Sequence, residues 1–388
     1  MSEWQEYVLE DVIEKFIDYR GKTPNKTESG VPLVTAKVVK AGKILPPTEF
    51  ISLDDYGTWM TRGLPEVDDI VLTTEAPLGE VALIKDKNVA LAQRIITLRG
   101  KKEYVFNPFL KYYFQNDTGQ HELQSRASGT TVFGIKASVL RKVPVELPFL
   151  PEQKAIAAVL SSLDDKIDLL HRQNQTLEAM AATLFRQWFV EEAGVDWVKG
   201  RLGEEFDFTM GQSPPGSSFN EEGLGVPMFQ GNADFEFRFP KERIYTTEPT
   251  RFAQKFDTLI SVRAPVGAQN MAHKECCIGR GVAAFRYKEN NDFYTYTYFK
   301  LHSLMDEIKK FDDEGTVFGS ISKSDFDALE TMLPPLDMVS EFEKNAKPIN
   351  DKVIENCVQI RTLSTLRDTL LPKLMSGEVR VALDRAAA

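Results

Sequence analysis

The stretch Ile156-Ala-Ala-Val-Leu160-Ser-Ser-Leu163-Asp-Asp-Lys-Ile167-Asp-Leu-Leu170 determines how the rest of the chain is interpreted. Its apolar residues recur in alternating steps of four and three, and the alternation continues as far as Trp188. The segment 152–190 around it contains neither proline nor glycine. A heptad pattern sustained over this length is typical of a coiled-coil helix. The sequence therefore predicts a first long helix over residues 151–190.

A second heptad pattern lies near the C-terminus and predicts a second long helix over residues 337–376. Its seam consists of Val339, Phe342, Ala346, Ile349, Val353, Asn356, Ile360 and Leu363. The pattern weakens at Arg367 and resumes at Leu370. Pro348 lies inside this segment and is expected to kink the helix or lower its stability, because proline lacks the N–H donor.

Each seam is interrupted by one polar residue near its midpoint, Asn174 in the first helix and Asn356 in the second. A buried asparagine in such a seam fixes the register when an amide on the partner helix pairs with it. If the two helices pack antiparallel, midpoint meets midpoint. We therefore expect Asn174 to face Asn356, the alternative being two side chains that face water.

The chain also repeats itself. Glu75-Ala-Pro-Leu-Gly79 returns as Arg263-Ala-Pro-Val-Gly267 with the first charge reversed. Further echoes are Gly21–Pro24 with Gly211–Pro214, Gly30–Pro32 with Gly225–Pro227, Asp69–Leu72 with Asp257–Ile260, Thr131–Gly134 with Thr316–Gly319, Leu147–Leu150 with Leu333–Leu336, and Trp4 with Trp197. Four of these pairs are separated by 190, 188, 185 and 186 residues. An order kept at nearly constant offset indicates one duplicated unit.

Each copy has the same predicted layout. Short apolar runs such as Pro32–Ala36, Ile70–Thr73, Val81–Ile84 and Arg94–Leu98 are separated by glycine and proline and predict strands. Asn107-Pro108 predicts a cap and first turn for a helix that continues from Phe109, and Phe293 to Lys310 is its counterpart.

We therefore predict an α+β fold with two similar domains joined by two long helices that carry coiled-coil seams. The boundaries are 1–150 for the first domain, 151–190 for the first helix, 191–336 for the second domain, 337–376 for the second helix and 377–388 for a C-terminal tail.

Composition narrows the class of protein. The 388 residues are 42% hydrophobic, which is typical of globular domains, and no run of about eighteen apolar residues is present. We therefore expect a cytoplasmic protein without a membrane partner. Cys276, Cys277 and Cys357 cannot form a disulfide framework. His273 beside the first two supplies too few ligands for structural zinc, so we predict no metal.

The charge is segregated along the chain. The formal net charge is −10, which by itself argues against a nucleic-acid partner. However, the segment between Arg20 and Lys43 contains six basic residues and a single acid, Glu28. Acids collect instead in pairs such as Asp54-Asp55 and Glu191-Glu192. This distribution favours a one-sided binding surface, and a solvated basic face without a partner is the alternative.

The length of the first helix suggests a mechanical role. A helix of about 38 residues spans roughly 57 Å, whereas one turn of DNA is about 34–36 Å long. Two similar binding domains held apart by such a rod would contact a duplex more than one turn apart. Two copies of a binding domain joined by a rigid spacer would therefore select contact points on the duplex at a fixed distance from each other.

The sequence as a whole resembles the specificity subunits of Type I restriction-modification systems. The resemblance rests on Pro148-Phe-Leu-Pro-Glu-Gln153, Leu184-Phe-Arg-Gln-Trp-Phe189, Leu370-Leu-Pro-Lys-Leu-Met-Ser-Gly377, Val262-Arg-Ala-Pro-Val-Gly267 and Cys276-Cys-Ile-Gly-Arg-Gly281. The second helix departs from the pattern, because Leu336-Asp-Met-Val339 stands where the first has Leu150-Pro-Glu-Gln153.

The resemblance implies a function for each part. Each domain would be a target-recognition domain that reads half of a bipartite, asymmetric site in double-stranded DNA. The two long helices would form an antiparallel coiled coil that sets the unread spacer. Two modification subunits, which bind S-adenosylmethionine and methylate adenine, would dock on the helices. Restriction subunits with motor and nuclease activity would join them. The chain itself would need no cofactor and would not be an enzyme.

Two alternatives remain open. An enzyme would need a site, but the sequence has no phosphate-binding loop, and Asn107-Pro-Phe109 lacks the second proline of an amino-methyltransferase pocket. Glu152-Gln-Lys154 has a nuclease-like spacing but no suitable upstream aspartate, and is better explained as an acid at a helix start. The second alternative is a two-lobed adaptor that binds only protein, and salt-dependent DNA binding would distinguish it.

Candidate DNA contacts are long polar side chains on predicted loops, because arginine reads guanine and asparagine or glutamine reads adenine. In the first domain they are Lys22, Thr23, Lys26, Lys37, Lys40, Thr74, Glu75, Arg94, Thr130 and Lys136. In the second they are Gln212, Ser213, Gln230, Asn232, Arg263, Gln269, Arg280 and Lys323. Glu75 would accept from cytosine where Arg263 would donate to guanine, so that the half-sites differ. Phe185, Trp188 and Phe189 are predicted to dock a modification subunit, with a core against the adjoining domain as the alternative.

Overall fold

A computed structural model describes residues 4–21, 23–129, 133–194, 197–313 and 319–382. Its contacts divide the chain into two compact units. One unit combines the residues up to Ile167 with those from Leu363 onward, and the other is Asp168–Thr362. Each unit contains one domain and a part of both long helices.

The first domain is built on a four-stranded antiparallel sheet with the order β2-β10-β7-β8. Its strands are β1 (Gln5–Val8), β2 (Ile13–Asp18), β3 (Val31–Val34), β4 (Val39–Lys40), β5 (Lys43–Ile44), β6 (Phe50–Ile51), β7 (Ile70–Thr74), β8 (Leu78–Leu83), β9 (Ala90–Leu91), β10 (Ile95–Gly100) and β11 (Pro144–Leu147). The helices that begin in the first unit are α1 (Leu9–Val12), α2 (Leu53–Trp59), α3 (Asn107–Gln115), α4 (Asp117–Gln124), α5 (Ala137–Leu140) and α6 (Leu150–Arg186).

The core of the first unit lies between this sheet and α3. Every residue of β7 and β10 is buried, including the polar Thr73, Thr74, Thr97 and Arg99. Phe109 and Phe114 of α3 are fully buried against the sheet. β1 pairs with β11 at the junction with α6, so the first strand of the domain is fastened to its last.

The second domain repeats this plan with the sheet order β13-β21-β18-β19. Its strands are β12 (Val198–Arg201), β13 (Phe206–Met210), β14 (Phe219–Asn220), β15 (Val226–Phe229), β16 (Ile244–Thr246), β17 (Phe252–Ala253), β18 (Thr258–Ser261), β19 (Gln269–Met271), β20 (Cys276–Ile278), β21 (Val282–Tyr287) and β22 (Glu330–Leu333). The helices that begin in the second unit are α7 (Leu202–Glu205), α8 (Tyr294–Ser303), α9 (Met305–Asp313), α10 (Lys323–Ala328) and α11 (Leu336–Met375).

The duplication extends to individual side chains. Asp69, which precedes β7, accepts two hydrogen bonds from Arg99 of β10, at 2.9 and 2.7 Å. Asp257, which precedes β18, pairs in the same way with Arg286 of β21 at 2.7 Å. Each aspartate also accepts from the backbone N–H three residues before it. The predicted α+β class and the internal repeat are therefore confirmed.

The two long helices are present and pack antiparallel within each unit. α6 continues into a π-helical turn at Gln187–Glu191, and α11 is unbroken across Pro348. In the second unit, Phe185 of α6 packs against Phe342 of α11, and Asn174 meets Asn356 further along. In the first unit, Arg367 of α11 donates to Asp164 of α6 at 3.0 Å.

The predicted contact between the two seam asparagines is present. Asn356 Nδ2 donates to Asn174 Oδ1 at 2.9 Å, and Asn174 Nδ2 donates to Cys357 Sγ at 3.4 Å. Both asparagines are buried, with exposed fractions of 1% and 0%. The role of this contact in fixing the register stays a prediction, which stability measurements can test.

We expect Asn356→Leu to lower the free energy of unfolding by about 1–3 kcal/mol, because the amide of Asn174 loses its buried partner. The double variant Asn174→Leu/Asn356→Leu should regain this loss, since two leucines fill the seam without leaving an unpaired polar group. Urea unfolding measures both, with the exposed Asn345→Leu on the same helix as the control. A double variant no more stable than the single one would contradict this prediction.

Two local predictions were wrong. Asn107 does not cap α3; it is the first helical residue, with Phe106 at the cap position. Its side chain instead accepts from Gly100 N at 2.9 Å and donates to Asp68 O at 2.9 Å, so a tertiary contact uses the oxygen that a cap would need. The helix predicted over 293–310 is interrupted at Leu304, which separates α8 from α9.

Candidate nucleic-acid interface

In the first domain, three strand ends meet at one edge of the sheet. β2 and β7 both run antiparallel to β10, so their C-terminal ends lie beside the start of β10. Arg20 follows β2, Glu75 follows β7, and Arg94 immediately precedes β10. The topology thus brings together charged residues that are distant in sequence.

Backbone hydrogen bonds fix the loops at this edge. Thr74 N donates to Arg94 O, and Ile135 N donates to Thr74 O, both at 2.9 Å. Glu75 forms an isolated bridge with Gly134, and Arg20 Nη2 donates to Ile135 O at 3.1 Å. The segment that leads to the exposed Lys136 is therefore held against the end of β7.

The side chains at this edge remain accessible. Arg94 Nε lies 3.1 Å from Glu75 Oε1, with side-chain exposures of 56% and 35%. An ion pair this exposed contributes about 0–1 kcal/mol, so a ligand can replace either partner at small cost. Arg94 also has a φ of 70°, a left-handed conformation that non-glycine residues adopt rarely.

Of the other basic candidates of the first domain, Lys26 and Lys37 lie on the loops before and after β3, and Lys40 lies in β4. Lys26 and Lys37 approach the same carboxylate, Glu49, at 2.8 and 3.8 Å. The hydrogen bond from Lys26 is the main cause that lowers the pKa of Glu49. Thr23 and Lys40 are exposed.

The second domain has the equivalent edge. β13 and β18 run antiparallel to β21, so the residues after β13 and β18 lie beside the start of β21. Gln212 N donates to Ile278 O at 3.0 Å, and the backbone N–H of Arg280 donates to Ser213 Oγ at 3.3 Å. The side chains of Gln212 and Arg280 are exposed.

Glycines allow these loops to approach one another closely. A Cβ atom at Gly211 would lie 2.2 Å from Gly279 O, and one at Gly281 would lie 2.1 Å from Gln230 O. No larger residue fits at either position without a shift of backbone. The close approach places Gln230, which is exposed, beside the loop that carries Arg280. Asn232, half-buried, follows in a short 3₁₀ turn at Asn232–Asp234.

Arg263 and Lys323 complete the second edge. Arg263 follows β18 and forms an isolated bridge with Ser320, while Ile321 N donates to Val262 O at 3.2 Å. This reproduces the bridge between Glu75 and Gly134 in the first domain. Lys323 begins α10 and is exposed, with Nζ 5.8 Å from the centre of the Phe208 ring.

The repeated loops share a backbone but differ in charge. Both contain a cis peptide bond, Ala76-Pro77 in one and Ala264-Pro265 in the other. In the first domain, Arg94 at the edge is paired with Glu75. In the second, within the part of the chain that the structure describes, neither Arg263 nor Arg280 forms an ion pair. The second edge thus presents two exposed guanidinium groups.

Four of the predicted DNA-contact residues are not found exposed at these edges. Two have side chains that are used inside the domain, and two lie outside the described residues. Thr74 is buried, with 1% exposure, so it has no surface with which to contact a ligand. Gln269 uses both atoms of its amide within the domain, because Nε2 donates to Tyr298 O at 2.7 Å and Oε1 lies 3.0 Å from His302 Nδ1. Lys22 and Thr130 lie outside the described residues.

Sequence reasoning missed two residues at the first edge. Arg20 was noted only as part of a basic run, although its guanidinium reaches the segment after Gly134. Phe133 is 64% exposed although its neighbouring backbone is hydrogen-bonded. The repeated Val-Phe-Gly of the two copies was the signal for Phe133.

The aromatic patch at the end of α6 belongs mainly to the core. Phe185 and Phe189 are buried, with exposures of 3% and 7%, and their rings stack with centroids 4.8 Å apart. Both pack against Phe342 of α11. The structure therefore favours the core over a docking surface for these two residues. Trp188 is half-buried.

None of the three cysteines is exposed, and Cys357 is half-buried. Cys276 and Cys277 are buried in β20, where burial raises the pKa of Cys276 to about 12. Among the described residues, no group of three or more histidine, cysteine, aspartate or glutamate side chains is arranged to hold a metal ion. Within the same residues, no helix is both long enough and apolar enough to cross a membrane.

The chain is similar to known proteins over most of its length. The sequence profile described as Type I restriction modification DNA specificity domain matches residues 1–179 and 194–347. A putative type I restriction enzyme MjaX specificity subunit from Methanocaldococcus jannaschii is 29% identical over 408 residues, covering 98% of this chain and 94% of that protein. The type I restriction enzyme MjaIX specificity subunit from the same organism is 27% identical over 348 residues, covering 80% and 78%. In fold, the chain is similar to the S subunit of a Type-I restriction-modification system from M. genitalium, with a TM-score of 0.64, 20% identity and 96% coverage of both chains.

Proposed function

Because the chain belongs to the Type I restriction modification DNA specificity family, we propose that it is the sequence-reading subunit of a Type I restriction-modification complex. Each domain reads one half of a bipartite, asymmetric site in double-stranded DNA. The paired helices set the number of base pairs left unread between the halves.

The observation that carries this proposal is the repeated edge with changed side chains. Both domains fix the same loops at the same strand ends, but Glu75 and Arg94 occupy one edge where Arg263 and Arg280 occupy the other. A shared backbone with different polar side chains is what two readers of different sequences need. Base edges in the major groove are distinguished by such donors and acceptors.

The chemistry of the two edges suggests different half-sites. In the second domain, Arg263 and Arg280 donate to guanine, while Gln230 and Asn232 are suited to adenine. In the first domain, Glu75 accepts from the amino group of cytosine and releases Arg94 to a guanine or a phosphate. Lys26, Lys37, Lys40, Lys136 and Lys323 position the domains on phosphates.

The chemistry of modification resides in partner chains under this proposal. Two modification subunits bind S-adenosylmethionine and methylate adenine, and restriction subunits supply motor and nuclease activity. The chain contributes no catalytic residue of its own and acts in the cytoplasm. Trp188 is the member of the aromatic patch that remains available to a modification subunit.

Methylome sequencing of cells with and without the gene tests the proposal. We expect methylated adenines to disappear from one bipartite motif when the gene is removed, and we expect guanine in the half read by the second domain. A gel-shift titration of the purified complex should show binding that weakens with salt. An unchanged methylome together with salt-independent binding would favour the protein adaptor instead.

A further inference from the structure

The loop between β15 and β16, residues 230–243, links the second edge to the long helices. Gln230 and Asn232 lie at its start, where Asp234 braces the turn by accepting from Gln230 N at 3.2 Å. Asp234 also forms an ion pair with Arg243 at the end of the loop. Contacts within the loop therefore fix the conformation of its first residues, which lie at the second edge.

Further along the same loop, the side chain of Arg238 is buried inside the protein. It is 1% exposed and forms an ion pair with Glu178 of α6. Its guanidinium lies 3.8 Å from the centre of the Tyr298 ring, and Arg238 O accepts from Met271 N at 2.9 Å. Among the described residues, Nε and Nη1 of Arg238 have no hydrogen-bond partner.

The other long helix also contacts the loop, but here the arginine lies on the helix and the acceptor lies on the loop. Arg361 of α11 donates from Nη2 to Pro240 O at 2.6 Å, and its guanidinium lies 5.7 Å from the centre of the Phe239 ring. Phe239 itself is 3% exposed. Both helices thus contact the loop, at positions that lie within three residues of one another.

Stability alone does not explain a buried arginine in this position. A buried ion pair loses most of its attraction to the cost of removing both charges from water, and apolar replacements of similar volume are often neutral or stabilising. The two unpartnered nitrogens of Arg238 add to that cost. The contact does, however, define one position of the loop relative to α6.

We propose that Arg238 is a positioning residue, which fixes loop 230–243 on the paired helices so that Gln230 and Asn232 reach their bases. This inference rests on the proposed function, because it takes the second edge to be a DNA reader. The first domain offers an internal control, since the corresponding hairpin of β4 and β5 lies against its own β8, where Ala41 N donates to Glu80 Oε2 at 2.8 Å.

The test is the double variant Arg238→Met/Glu178→Leu, which removes the whole pair and leaves no buried charge. The full complex with its modification subunits transfers methyl groups from S-adenosylmethionine to duplexes that carry single base changes in either half-site. We expect discrimination in the second half-site to fall roughly tenfold, the value of one base contact. Discrimination in the first half-site should stay unchanged. The thermal midpoint of unfolding should stay unchanged or rise.

The matched control is Arg286→Met/Asp257→Leu, which exchanges another ion pair of the same domain at the opposite end of the sheet, with side-chain exposures of 30% for Arg286 and 8% for Asp257. It should leave discrimination in both half-sites intact. Normal discrimination in both halves by the Arg238 variant would overturn the inference while the proposed function stands. A lowered midpoint with equal losses in both halves would also overturn it, because the pair would then be structural. If the wild-type complex ignores base changes in both half-sites, the proposed function itself is wrong.

Discussion

The double variant Arg263→Ala/Arg280→Ala is expected to abolish recognition of the second half-site while leaving the first intact. Each bidentate contact between arginine and guanine contributes about 1–3 kcal/mol of discrimination. If the two contributions add, the loss is about 2–6 kcal/mol, or roughly 30-fold to 20,000-fold in relative methylation rate. Both side chains are exposed at the edge, so their removal leaves no cavity in the core.

The measurement is methylation by the full complex on duplexes with all single base changes in each half. Lys199→Ala/Arg201→Ala serves as the matched control, since it removes the same charge from exposed positions of β12, before β13 begins. Uniform weakening on every sequence, with a smaller dependence of binding on salt, would show that the two arginines contact phosphates and do not read bases.

The long helices could be predicted because their pattern is local. The heptad seam placed the first helix at 151–190, and α6 with its π-helical turn occupies Leu150–Glu191. The contact of Asn174 with Asn356 was expected from their midpoint positions on condition that the helices pack antiparallel, and it is present. Where a side chain takes part in a tertiary contact, local rules failed. Asn107 is a residue type that often caps helices, but its side-chain amide is used by Gly100, seven residues before it, and by Asp68, 39 residues before it.

The candidate site could be predicted only in part, because strand order decides which loops meet. The repeat correctly placed Glu75 and Arg263 at equivalent positions, since each forms a bridge to the loop before α5 or α10. No local pattern shows that Arg94 pairs with Glu75, or that the side chain of Thr74 points into the core. Nor does any local pattern show that the side-chain amide of Gln269 donates to Tyr298 O in α8.

The aromatic cluster at the junction of α6 and α11 carries the second large expected effect. Phe342 is 1% exposed, and its ring centre lies 5.6 Å from that of Phe185, 5.2 Å from that of Phe189 and 6.3 Å from that of Tyr296. Phe342→Ala is expected to lower the free energy of unfolding by about 3–5 kcal/mol, because it leaves a cavity that these fixed rings cannot fill. Urea unfolding of the purified chain measures the change.

Val358→Ala on the same helix is the control, since Val358 is 39% exposed and its truncation should cost about 0.5 kcal/mol or less. The comparison separates the two interpretations of the aromatic patch. A docking surface would leave the isolated chain nearly as stable in Phe342→Ala as in the control, and would weaken only its assembly with modification subunits. A core loses stability in the isolated chain itself. The contacts of Phe185 and Phe189 with Phe342 and Tyr296 require the second result, because rings buried on both sides have no face left for a partner.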